Sequence, residues 1–206
     1  MLTEIIGRWK GLRKNNICTV EALSEFLDEQ SAYISQSSAY SYCRARTGFM
    51  GPKLFDEKGF SEELEVCKWT TYLAVLEDML IFLEMQLRPD GRGDQEKLHH
   101  ALCGVHQSVL NRRPPPPRLE QLWLDAGKAF ALRLAQSQMA APKTADVVAN
   151  HSGRVLYDNV PIHIDLKKLD EEMLVNSLRF RFLRFAEELE GALEKDPLVR
   201  ELGVGG

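Results

Sequence analysis

No stretch of this sequence stays apolar long enough to span a membrane. The most hydrophobic run, residues 72–87, carries Glu77, Asp78 and Glu84. Three acids in such a run make membrane insertion too costly. The N-terminus has an acid, Glu4, in its first turn and lacks an unbroken apolar core, so no secretory signal is expected. An excess of one charge is missing as well. The 26 Lys and Arg residues are outnumbered by 30 Asp and Glu, a net charge of −4, which leaves no overall field to attract nucleic acid. Cysteine is confined to Cys18, Cys43, Cys67 and Cys103, with no Cys-x-x-Cys pair. Thiols scattered in this way read as small apolar residues of a cytoplasmic protein, although spacing alone leaves two disulfides open.

Several chemical signatures are absent too. There is no Gly-rich phosphate loop and no alternation of strands with helices, so no cofactor is expected. The stretch "NHSGRVLYDN", residues 150–159, brings His151 beside Ser152 and reads as a loop. Gly-x-Ser-x-Gly is missing, however, and so is the strand–turn–helix context that exposes a nucleophilic serine.

What the sequence does contain is helical periodicity. Hydrophobic residues make up 44% and charged residues 27%, which predicts one domain, 1–206, with a substantial core. Residues 1–16 form a short basic amphipathic segment, with Leu2, Ile5, Ile6, Trp9 and Leu12 at helical spacing among Arg8, Lys10, Arg13 and Lys14. Docking onto the bundle is its expected fate, and contact of 1–14 with an anionic membrane surface is the lesser reading. Thr19 is positioned to cap a helix running to Gly48, some 40 Å long at about 1.5 Å per residue. A Gly/Pro-punctuated loop follows, and Ser61 is the expected cap of a central helix whose apolar arc includes Leu73, Leu76, Leu80 and Leu83. Further helices are predicted near 95–112, after the "PPPP" corner at 114–117, and over 166–195. Around 143–165, β-branched residues and Pro161 suggest a partly extended loop. Residues 203–206 read as a frayed tail. The expectation is an all-α bundle of five or six helices, several of them long.

Two stripes could carry chemistry. Tyr33, Ser37, Tyr40 and Arg44 share one face of the first long helix and could hold an anion or polar ligand. They lie in "SAYISQSSAY", where Ser31-Ala32-Tyr33 returns seven residues later as Ser38-Ala39-Tyr40. Such an echo suits a helix–helix contact, with the alanines allowing close approach. Glu96, His99, Cys103 and His106 share another stripe, and all four side-chain types bind transition metals. A di-iron bundle would need a second Glu-x-x-His, which is lacking, unless Glu77 and Glu84 supply carboxylates. Arginine alternates with phenylalanine in "LRFRFLRF", residues 178–185, a pattern found in single-strand binders. Glu187, Glu188, Glu190 and Glu194 follow at once and cancel the required field.

Two functions follow. The leading expectation is a helical protein that works through protein–protein interaction, self-association included, since long amphipathic helices rich in aromatics suit interfaces. The alternative is an enzyme, such as a hydrolase, or a small-ligand or metal-binding protein with a polar pocket between the long helices. That reading requires the Tyr/Ser/Arg and Glu/His/Cys stripes to converge.

Overall fold

The computed structural model describes residues 16–48, 51–88 and 92–204. In chain order its helices are α1 (Val20–Thr47), α2 (Gly51–Asp56), α3 (Lys58–Leu87), α4 (Arg92–Asn111), α5 (Glu120–Gln138), α6 (Ala145–Val148), α7 (Asn150–Asn159), α8 (Ile164–Lys167), α9 (Glu171–Ala192) and α10 (Lys195–Glu201). The described residues form no strand; Ile17 and Leu193 make one isolated parallel bridge. The architecture is all-α, as expected, but more finely divided than five or six helices. No described helix is long and apolar enough to cross a membrane.

The first long helix begins as its sequence requires. Thr19 Oγ1 accepts from the Ala22 N–H at 3.1 Å, satisfying one of the otherwise unpaired donors of the first turn. Its 28 residues span about 42 Å. At the far end Gly48 has φ of +50°, a conformation that costs glycine little. Ser31, Ser35, Ser38 and Ala39 are buried, so small side chains line the inner face of α1 where it meets α3.

α3 is the centre of the bundle. From Thr71 to Glu84 every residue is buried, because α1, α4, α5, α6 and α7 all pack around it. A helix covered on every side has no polar face to turn to water. Leu76, Leu80 and Leu83 are fully buried. The aromatic link from α3 to α9 runs through Phe82, whose ring lies 6.2 Å from Phe182 and 6.5 Å from Phe185. α7 packs against both helices.

Four expectations are corrected. Residues 143–165 do not form a partly extended loop; they fold as α6, α7 and α8. The β preference of Val147, Val148 and Val155 is worth about 1 kcal/mol at most. In the helical arrangement Val148, Ser152, Gly153 and Leu156 are buried instead. Gly153 permits this, since an added Cβ would lie 3.1 Å from the Val175 backbone. The helix expected over 166–195 is broken between Lys167 and Glu171. There Asp170 turns inward to accept from Tyr42 Oη at 2.7 Å and to pair with Arg46. Ser61 is not a cap, because α3 starts three residues earlier at Lys58, and the preceding Gly/Pro loop contains α2. Residues 203–204 do not fray. Val204 N–H bonds the Val199 carbonyl at 3.0 Å and Gly203 N–H bonds the Arg200 carbonyl at 3.1 Å. With Gly203 at φ +68°, this is a Schellman closure that buries Val204. The basic segment 1–15 lies outside the described residues.

Candidate functional site

The stripe on α1 is divided among separate contacts. Tyr33 is half-buried and, with Gln30, Arg181, Arg184, Phe185 and Glu188, lines a cavity of about 20 Å³, too small for more than a water molecule. Ser37 Oγ turns back to the Ile34 carbonyl at 3.4 Å. Tyr40 stacks on Phe55 of α2 with ring centroids 4.7 Å apart. Arg44 is exposed.

The Glu/His/Cys stripe of α4 also disperses. Glu96 faces solvent. His99 Nδ1 meets Gln138 Oε1 at 3.2 Å. Cys103 is half-buried, and burial raises its thiol pKa. His106 lies fully inside, stacked on Phe130 at 4.5 Å, and neither ring nitrogen has a hydrogen-bond partner. Desolvation lowers its pKa to about 4, so it is a neutral core aromatic at physiological pH. Among the described residues no three His, Cys, Asp or Glu side chains gather closely enough to hold a metal ion. The two stripes point to different neighbours: Tyr33 and Tyr40 toward α9 and α2, His99 and His106 toward α5.

The acids of α3 are engaged elsewhere. Arg133 of α5 reaches Glu77 at 3.1 Å and pairs with Asp78. Asp78, fully buried, also accepts from the Ser152 N–H at 3.0 Å. His151 Nε2 lies 3.8 Å from Glu77, and Ser152 Oγ is buried against the Ala149 carbonyl at 3.2 Å. Burial raises the Glu77 pKa, and Arg133 opposes that rise. Glu84 holds Arg88 through contacts of 2.8 to 3.3 Å. Arg88 then donates to the Ala140 and Ser137 carbonyls at 2.8 and 3.2 Å, satisfying the C-terminal end of α5.

A different kind of site lies on the outer side of α7. With the two helices brought together at Gly153 and Val175, α7 contributes Asn150 and Arg154, and α9 contributes Glu172, Asn176 and Arg179. Lys168, Leu169 and Glu171 complete a groove of about 400 Å³. Arg179 is held in place, its Nε donating to the Asp146 carbonyl at 3.1 Å and its Nη1 to Asn176 Oδ1 at 2.9 Å.

No family model, curated protein or solved structure matches this chain. Its functional reading therefore rests on its own surface. Besides Leu169 of the groove, Ile164, Leu166 and Met173 are exposed, and Phe180 is 70% accessible. Phe180 and Met173 are seven residues apart on the side of α9 opposite its buried Leu178, Phe182, Phe185 and Leu189. A second exposed row on α5 contains Leu124, Leu132 and Met139. The sequence singles out the stretches that hold Arg154, Arg179 and Phe180, but it does not join them into a groove or turn Phe180 outward. Two signals point to them once the helical period is applied. Asn150 and Arg154 are one turn apart, and Phe180 falls opposite Phe182 and Phe185 on the helical circumference.

Proposed function

We propose that this protein acts through protein–protein contact, and that a second copy of the chain occupies the outward face of α9. The observation that carries this reading is the row formed by Met173 and Phe180. A wholly outward phenylalanine loses the burial that folding gives to the rest of the core, and recovers it at an interface. Arg184 and Glu187 flank the row on the same exposed face. A surface that meets itself must match its own charges, and a face bearing both signs suits that better than it suits a strongly acidic or basic partner. The free Cys18, Cys43, Cys67 and Cys103 support a reducing, cytoplasmic setting.

The test is the mass of the purified chain across a concentration series. The native protein is expected to dimerise, with a folding midpoint that rises with concentration, and Phe180→Ser to shift it to a folded monomer whose midpoint no longer depends on concentration. Leu132→Ser serves as the control on α5. A native chain that stays monomeric at high concentration would overturn the reading. A dimer broken by Leu132→Ser and not by Phe180→Ser would move the interface to α5.

A further inference from the structure

We propose that the groove between α7 and α9 binds an oxyanion, a phosphate monoester or a carboxylate, carried on a larger organic molecule. The groove is rich in donors. Among the described residues neither Arg154 nor Lys168 forms an ion pair, although both line it and both are exposed. Arg179 spends Nε and Nη1 on two neutral acceptors, a backbone carbonyl and an amide oxygen. These bonds orient the guanidinium without using a carboxylate, although the Asp146 side chain is near enough for Arg179 to help hold its pKa down. The same contact orients Asn176. Because its Oδ1 accepts from Arg179, its two amide hydrogens remain as donors.

The geometry follows from Gly153. A Cβ there would lie 3.1 Å from the Val175 Cα, tighter than an ordinary contact, so glycine lets α7 and α9 approach as closely as they do. Three cations against Glu171 and Glu172 leave the lining net positive. Those two acids occupy the first turn of α9, where the helix N-terminus already favours them. A groove of about 400 Å³ is larger than an inorganic ion needs and matches a small organic ligand. Val175 and Leu169 offer apolar surface for its body. This inference is independent of dimer formation, since it concerns the groove and not the Phe180 face.

The experiment is a titration of the isotopically labelled full chain with phenyl phosphate and, separately, with benzoate. Ionic strength is held constant, and NMR follows the side-chain amides of Asn150 and Asn176 and the Arg179 Nε–H. Saturable shifts confined to these groups are expected from at least one probe. Arg154→Gln and Lys168→Gln should each weaken binding by about tenfold. Saturation by phenyl phosphate alone would assign a phosphate monoester, and by benzoate alone a carboxylate. Shifts that grow linearly with concentration, or binding that both variants leave intact, would overturn the site. Repeating the titration on Phe180→Ser keeps the result separate from self-association.

Discussion

The charges around α3 and those around the α7–α9 groove are arranged in opposite ways. Inside, the three buried acids of α3 are met by two arginines, and each arginine joins two elements: Arg133, shared by Glu77 and Asp78, ties α5 to α3, and Arg88 ties α3 to the end of α5. In the groove, Arg154 and Lys168 make no ion pair among the described residues, although Glu171 and Glu172 share the lining, and Arg179 donates to neutral oxygens. The difference lies in desolvation. A buried charge without a partner is intolerable, so the interior ions are spent on holding helices together. A charge that water still reaches can stay unpaired at little cost, and is left available to something outside the chain.

The comparison breaks most visibly at Arg133. Arg133→Met removes the guanidinium from Asp78 and leaves that carboxylate buried with the Ser152 N–H alone. A loss of about 3–5 kcal/mol is expected in urea denaturation. A loss under 1 kcal/mol would mean that Asp78 is not a committed interior charge.

His106 sharpens the same contrast through pH. Its folded pKa of about 4 lies below the ordinary value, so between the two only the unfolded chain takes up a proton. The stabilising effect of keeping it neutral is complete above pH ~6.5 and is lost as pH falls toward 4. By pH 5 the native chain should have lost about 2 kcal/mol more than His106→Leu has, relative to pH 7.5. Equal losses in both proteins would show that the ring is not held neutral.

The smallest effect is expected at Lys168. Lys168→Met should alter the folding free energy by less than about 0.5 kcal/mol. A loss comparable to that of Arg133→Met would show that this cation has a structural duty and that the two regions do not differ as described.

The long elements were legible because periodicity integrates over many residues. α1 capped by Thr19, the central place of α3 and the inward Phe182 and Phe185 were legible in this way, whereas the spacing gave α3 only a wide apolar arc and not the burial of Glu77, Asp78 and Glu84. The short helices were not legible, because over ten residues or fewer a β-branched run and a buried helical face look alike. That one misreading hid the groove, since a loop over 150–159 gives no reason to place Asn150 beside Arg154. Helical spacing also put Glu96, His99, Cys103 and His106 on one stripe, but a stripe says nothing of depth. In the fold, Glu96 reaches water while His106 lies against Phe130, and four potential ligands become unrelated residues.

The pairing of Ile17 with Leu193 bears on how the chain is made. Ile17 N–H reaches the Ala192 carbonyl at 2.7 Å, and Glu194 N–H returns to Ile17 at 3.0 Å. Asn16 meets Glu194 across 178 positions of sequence. During synthesis the residues just ahead of α1 therefore emerge long before their partners do. α1 and α3 can pair early, but α1 also needs α9, and the segment leading into α1 needs the residues that follow α9. The closing step must wait until residues 192–194 have been made, and a ribosome stalled before Leu193 would display α1 with its seam still open.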